Sequence, residues 1–393
     1  MNSKAQAWYM DFTIAGLLFV FTLVVYFSYI NNAQSDESTI LDTLLTEAQS
    51  ISSSLVLSGY PSNWDNDTVV RIGVADEQYL NTSRLRNFKN LNYTKTKRIF
   101  GTPFEYFTYF TNSKGEVLNI NGVCGIGYPL ANFSYNAKSA YFYQDSSDSF
   151  LKDFMQQYFK ADIYFSDNPS DDNDIDSLVA NLSKYNLVIL EQPALQPSRL
   201  SEHYREFNNY TARGGNIMFS GELTTSSSSK DLNGIIFDKK TGASEPSNDR
   251  KRAIVNNTDT NLKLNINDTI QFAQYYFVNN DTSPAIETDQ NSNNYNPVPA
   301  TNFYLIANFN QSDDKAIARW NYGNGTAYFF GDFDVAEFSG NFLDVAEDAA
   351  KVLAGGTCSP INLTGIKIKN LAKTERYLIY KPDIVKMVVY SWQ

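Results

Sequence analysis

The first thirty residues set the strongest limit on this chain. Lys4-Ala5-Gln6 and then Asp11 are followed by an uncharged run from Phe12 to Ile30 that carries Leu17, Leu18, Phe19, Val20, Phe21, Leu23, Val24 and Val25. As a helix rising 1.5 Å per residue, such a run is about 28 Å long, close to the hydrocarbon thickness of a bilayer, so residues 12–30 are expected to contact membrane lipid. The run ends in Tyr26, Phe27, Tyr29 and Ile30 with no small-residue cleavage site behind it, which sets it apart from a secretory leader. Lys4 and the amino terminus precede it, and Asp36 and Glu37 follow it. That distribution predicts a single-pass protein of the cell membrane, with its N-terminus in the cytoplasm and residues 31–393 outside.

About 360 residues remain beyond the span, enough for one large or two medium domains. A net charge of -11 and a pI near 4.7 exclude nucleic acid as a partner, because tracking phosphates needs clustered Lys and Arg. The 26 Tyr and 27 Phe are expected to fill cores and sheet faces. Asn-x-Ser/Thr triplets begin at Asn66, Asn81, Asn92, Asn132, Asn181, Asn209, Asn256, Asn267, Asn280, Asn310, Asn324 and Asn362. None precedes residue 60, which agrees with a glycoprotein whose later residues face outward. The two cysteines, Cys124 and Cys358, permit one disulfide between the N-terminal head and the segment after the last helix, worth about 5 kcal/mol in the chain-entropy model. Two buried free thiols are the alternative. Two distant cysteines and the lone His203 do not make a soft-ligand cluster, so no metal and no cofactor are expected.

Past the membrane, Ile40, Leu41, Leu44, Leu45, Ala48, Ile51 and Leu55 recur at helical spacing until Gly59-Tyr60-Pro61. Residues 1–35 therefore read as the transmembrane helix with its short leading segment, and 36–136 as a stalk helix with a small α+β head. Within the head, Thr68–Val74 is β-like, Thr82–Leu91 is a short helix, and Phe104–Phe110 and Glu116–Ile120 form a hairpin about Asn112-Ser113-Lys114-Gly115. From residue 137 to 356 strands alternate with helices. Ala140–Gln144, Ala161–Phe165, Leu187–Glu191 and Asn216–Ser220 are short apolar strands separated by helical patterns at Phe150–Phe159, Ile175–Tyr185 and Ser198–Ala212. This rhythm predicts an α/β chain with a doubly wound, flavodoxin-like parallel sheet. Strands at Phe303–Phe309, Ala316–Trp320 and Thr326–Phe330 and a helix at Phe342–Leu353 complete it, while the polar stretch 224–300 reads as a surface excursion with strands suggested within it at Leu262–Ile270 and Phe272–Val278. Residues 357–393 are expected to form a C-terminal β-hairpin module: a strand at Ile361–Ile368, then Arg376–Tyr380 and Ile384–Trp392 joined through Lys381-Pro382-Asp383, with an alternation that implies one face packed on the body, the head unit being a candidate.

Lys4-Ala5-Gln6 directly before a single hydrophobic helix resembles the class III signal of archaeal type IV pilin-like proteins. That resemblance implies cleavage between Ala5 and Gln6, retention of the helix, and assembly with copies of itself or other pilin-like subunits. The acidic residue that pilins carry fifth in the mature chain stands one place later here, Met10 being fifth and Asp11 sixth. A plain anchor, with Lys4 only setting orientation, is the simpler alternative. Gly59-Tyr60-Pro61-Ser62-Asn63-Trp64 followed by Arg71-Ile72-Gly73 resembles the head opening of archaeal membrane-anchored proteins. The runs Tyr185-Asn186-Leu187-Val188-Ile189-Leu190-Glu191 and Gly214-Gly215-Asn216-Ile217-Met218-Phe219-Ser220-Gly221 resemble the class I glutamine amidotransferase-like fold, over residues 137–356.

Amidotransferase chemistry needs a cysteine on a strand-to-helix elbow with a histidine beside it as base. The elbow-like strand ends Phe219-Ser220-Gly221-Glu222 without a cysteine, so the ectodomain is expected not to be an enzyme. Ser220 and Glu222 remain as a ligand pair. In Gly331-Asp332-Phe333-Asp334, both acids would sit at the carboxyl edge of the sheet and hold a hard cation or a polar sugar if the strand ran through them. Turn acids capping a helix that starts near Ala336 are the stronger reading. Asp167, Asp171, Asp172, Asp174 and Asp176 read as a solvated loop and helix start. The leading expectation is a non-catalytic surface protein, a filament subunit or interaction module, with surface glycans as a further partner. The alternative is a membrane-anchored ectoenzyme or carbohydrate-binding sensor using the carboxyl edge.

Overall fold

The structure, a computed structural model, describes residues 3–131, 133–143, 149–165, 173–191, 203–221, 235–236, 239–243, 251–259, 262, 264–273, 275–279, 299–310 and 314–393. Helix α1, Ser3–Leu55, is one uninterrupted run of 53 residues, about 80 Å long at 1.5 Å per residue. Its Met10–Tyr29 segment is long and apolar enough to cross a membrane and is 0% buried within the fold. Farther along, Leu44, Ala48, Ile51 and Leu55 are buried, so the three- and four-residue spacing read from the sequence is the stripe that meets the head.

The chain turns back at once after α1. Val74 N–H donates to Leu55 O at 2.8 Å and Ala75 N–H to Leu57 O at 3.1 Å, which answers carbonyls that the end of a helix leaves open. Ser54 Oγ donates to Ile72 O at 2.7 Å, and buried Trp64 donates through Nε1 to Gly73 O at 3.1 Å. Thr68–Val74 is thus tied down by the helix end and not by a ladder. An isolated bridge, Tyr60 to Arg71, is its only strand-like pairing among the described residues. A Cβ on Gly73 would lie 2.2 Å from Leu57 O and 2.4 Å from Gly59 N, both backbone atoms. Gly73→Ala is therefore expected to destabilise the full chain by about 2–3 kcal/mol, the upper range of overpacking, because no rotamer can relieve a clash with backbone. Thermal unfolding in detergent checks it against Gly16→Ala, whose Cβ meets nothing within 4 Å and whose backbone is not left-handed. Equal midpoints for the two variants would count against the tight seat.

The head continues with β1 (Ala75–Asp76), β2 (Tyr79–Leu80), α2 (Thr82–Asn90), α3 (Tyr93–Phe100), β3 (Glu105–Thr111), β4 (Val117–Leu118) and β5 (Gly125–Gly127). Helices α2 and α3 each begin on an asparagine of a glycosylation triplet. Asn81 accepts from Arg84 N–H and Asn92 from Thr94 N–H, so both serve as N-caps. Helix α3 went unread in the sequence, its polar residues masking a short amphipathic turn.

The α/β unit follows as β6 (Ser139–Tyr143), α4 (Lys152–Phe154) running into a π turn at Met155–Phe159, β7 (Asp162–Phe165), α5 (Asn173–Asn181), β8 (Leu187–Glu191), α6 (Tyr204–Ala212) and β9 (Asn216–Ser220). Then come β10 (Ile235–Ile236), β11 (Lys239–Ala243), β12 (Arg252–Val255), β13 (Thr269–Phe272), β14 (Tyr276–Asn279), β15 (Ala300–Phe309), β16 (Lys315–Tyr322), β17 (Gly325–Phe330), β18 (Val335–Phe338) and α7 (Phe342–Ala354). Strands β7, β6, β8, β9 and β17 lie side by side and parallel. Numbered along the chain, that order is 2-1-3-4-5, the flavodoxin-like arrangement. Leu151, Met155, Val345 and Ala349 pack on one face, and Leu178 and Phe207 on the other. Antiparallel strands β16, β15, β12, β13 and β18 extend the sheet beyond β17. The stretch read as an excursion thus contributes core: Ala253, Val255, Ile270 and Phe272 are buried. Strands β13 and β14 overlap the two suggested within that stretch, whereas the four residues of β12 give too short an alternation to stand out in sequence.

The remaining strands are β19 (Thr357–Cys358), β20 (Leu371–Tyr380) and β21 (Asp383–Trp392). The C-terminal hairpin lies in the middle of the head sheet, paired edge to edge with β3 and β2, in the order β1-β2-β20-β21-β3-β4-β19. β21 runs antiparallel to β3 from Lys386↔Thr111 to Trp392↔Glu105. Val385, Met387 and Val389 face the side covered by α1 and α2, while Val388 and Trp392 face the other side with both cysteines. No strand forms across Ile361–Ile368, whose isoleucines pack on that second face. Such long-range pairing leaves no local trace in a sequence.

Candidate functional site

The α/β unit is thus inserted into the head, and its two connections meet in a neck. Asn136 N–H donates to Thr357 O at 3.0 Å and Ser359 N–H to Ser134 O at 2.7 Å. Cys124 and Cys358 are bonded beside them, with Cα atoms 6.0 Å apart and a sequence separation of 234. Of the two readings of the cysteines, the disulfide is the one observed, and neither cysteine is a free thiol.

The edge where doubly wound sheets bind ligands is the carboxyl end of the strands, at the point where strand order reverses. Here that point lies between β6 and β8, where Tyr143 pairs with Glu191. Glu191 ends a wholly apolar strand and is fully buried. It accepts from the Tyr141 hydroxyl, from Phe150 N–H at 2.9 Å and from Leu151 N–H at 3.4 Å. Burial pushes its carboxyl up to about 8, and the nearby negative charge of Asp332 adds to the shift. Burial, with Glu191 beside it, likewise holds the Tyr141 hydroxyl far above the usual range. The two backbone donors open the helical turn after β6, where the first crossover of such a fold offers its N–H groups to an anion. The chain's own carboxyl takes that place.

Ser220, one strand over, is buried at the end of β9, which pairs in parallel with Phe330 of β17. Glu222 lies outside the described residues, as do Asp167, Asp171 and Asp172. Asp332 is buried, but the strand stops at Phe330. Gly331–Asp334 is a turn in which Asp332 Oδ1 accepts from Asp334 N–H at 3.0 Å. The two acids therefore do not share a strand face, and the segment expected to begin a helix near Ala336 is strand β18, paired with β13. A turn acid answering its own backbone two residues on is the Asx geometry that aspartate favours.

The structure gathers Glu191, Ser220 and Asp332 at one edge and leaves Asp334 in the turn. Sequence reasoning missed Glu191, although an acid closing the run Leu187-Val188-Ile189-Leu190 was the available signal. His203 precedes α6 instead of lying within it, and its Nε2 meets Asp176 Oδ1 at 2.7 Å. That contact occupies the sole histidine at the surface. Among the described residues, no group of three or more His, Cys, Asp or Glu gathers to hold a metal ion. Lys4, Ala5 and Gln6 lie in the first turns of α1.

No family model matches this chain, and no curated protein does. Among solved structures it is similar to a cytoplasmic protein from Salmonella typhimurium, at 10% identity and a TM-score of 0.30, covering 56% of this chain and 99% of that one. It is also similar to a protein described as ThuA-like from Parabacteroides merdae, at 15% identity and a TM-score of 0.31, covering 56% of this chain and 87% of that one. Overlaps this loose carry no inference about what the chain does.

Proposed function

We propose that this chain is a non-catalytic, single-span surface protein of the type IV pilin-like kind. It is cut between Ala5 and Gln6, held in the membrane by residues 12–30, and displays its head and an amidotransferase-like α/β unit outside. The two-part use of α1 supports this best: Met10–Tyr29 is bare, while Ala48 and Ile51 of the same helix are buried in the head. A filament subunit needs a rigid rod that is apolar at one end and fused to its head at the other, whereas an anchor has no need of continuity between them. The bonded cysteines and the engaged Glu191 carboxyl support the non-catalytic half of the proposal. The reading as an ectoenzyme or carbohydrate sensor keeps one observation, the gathering of Ser220, Glu191 and Asp332 at one edge.

Intact mass of protein from its native membrane is expected to show a mature chain starting at Gln6; one still starting at Met1 leaves only an anchor. Assembly is tested by Gly16→Leu. A Cβ at Gly16 meets nothing within 4 Å in a single copy, and leucine suits both helix and bilayer. The variant should therefore insert normally, yet disappear from sheared surface fractions if copies pack closely through this residue. Equal recovery of both proteins in those fractions, or absence of both, would favour the monomeric surface module.

A further inference from the structure

The opposite, amino edge of the parallel sheet carries a cleft of about 390 Å³ that no feature of the filament reading uses. Three lysines line it, Lys138, Lys160 and Lys184, against one acid, Asp162. That balance is reversed from the chain as a whole, whose net charge is -11. Asp162 is already engaged, accepting from the Tyr185 hydroxyl at 2.7 Å. Ser139 also lines the cleft. It is 3% exposed, and its Oγ has no hydrogen-bond partner. A buried hydroxyl without a partner is costly, and its cost is recovered when a ligand supplies the acceptor.

Backbone contacts fix the segments that carry these lysines, and Lys184 Nζ donates to Asn181 Oδ1 at 2.5 Å. Asn186 N–H donates to Lys138 O at 2.7 Å, and Lys138 N–H donates to Asn186 Oδ1 at 3.1 Å, which fixes Lys138 to the start of β8. Lys160 closes the π turn with φ of 50°, a left-handed conformation that glycine adopts without strain and lysine does not. A lysine kept there places a cation at the rim at the expense of the backbone.

We propose that this amino-edge cleft binds an oxyanion, the carboxylate of an acidic sugar or a free inorganic ion. Lys138, Lys160 and Lys184 supply the charge and Ser139 Oγ the buried donor. Charge-assisted bonds from several ammonium groups, with one donor already desolvated, suit a compact anion better than a neutral sugar. The cleft stands independently of filament assembly; only the sugar as source rests on the head and α/β unit facing outward.

Calorimetric titration of the full chain in detergent, at fixed ionic strength, tests this with sodium sulfate and a galacturonate trisaccharide as probes and maltotriose as the neutral control. Saturable binding of both anions would mean that the free ion suffices, and binding of the trisaccharide alone would mean that a sugar chain is read. Lys160→Gly is expected to weaken binding about tenfold, the loss of one hydrogen bond to a charged group, while its unfolding midpoint holds or rises as the backbone relaxes. Ser139→Ala should weaken binding without loss of stability, since it removes an unpartnered hydroxyl. Failure of both anions to saturate, equal binding of maltotriose, or wild-type affinity in both variants would overturn the proposal.

Discussion

Replacing Cys358 with serine is expected to lower the unfolding free energy of the full chain by about 5 kcal/mol, the chain-entropy value for so long a loop. The bond to Cys124 spans 234 residues and so encloses the whole α/β unit, whose unfolded chain would otherwise roam freely from the head. In the folded protein the neck hydrogen bonds between residues 134–136 and 357–359 hold the same two segments together, so the fold itself should be little changed. The effect lies in the unfolded state, and it should appear as a lower unfolding midpoint in detergent. Reduction of the wild type should reproduce it. Identical midpoints for wild type, reduced wild type and Cys358→Ser would show that the neck alone suffices. A structural disulfide of this kind belongs to an oxidising compartment, in agreement with the outward placement proposed above.

The second large effect should follow pH. The Glu191 carboxyl ionises near pH 8 in the fold against an ordinary value of 4.5. Between those values the folded state holds a proton that the unfolded chain has released. The stability Glu191 contributes is therefore full below about pH 4.5 and is lost as pH rises through about 8, with a ceiling of roughly 5 kcal/mol at 1.36 kcal/mol per unit. Glu191→Gln keeps the shape and can still accept from Phe150 N–H, but it has nothing to ionise. Wild type should weaken between about pH 5 and pH 9 while the glutamine variant stays nearly flat by comparison. Parallel pH profiles for the two proteins would mean that the carboxyl is ionised in the fold after all.

The parts of the fold legible in sequence were those whose residues carry their own period. Strands β8 and β9 match the apolar runs Leu187–Glu191 and Asn216–Ser220 residue for residue, because a strand buried on both faces has no polar alternation to blur it. The α1 stripe was equally plain. Two-residue strands such as β1 and β2 were not, since pairs of residues hold no period. Nor was the centre of the head sheet, where β21 lies against β3 through partners such as Val389 and Thr108 that are far apart in sequence. At the site, Glu191 was passed over as the last residue of an apolar strand, and its partners Phe150 and Leu151 come from another crossover, so only folding reveals them.

The place of β20 and β21 in the head sets a timetable for the chain's manufacture. The helix that seats on them is synthesised first, and they follow about 300 residues later, roughly 15 to 60 seconds at ordinary elongation rates. Throughout that interval the rod has no finished head to dock against, and the α/β unit is made before β20 and β21 reach β3. A chain halted before Leu371 would carry an apolar rod whose stripe of Leu44, Ala48, Ile51 and Leu55 lacks the two central strands beneath it. Completion at the far end of the chain is what settles its near end.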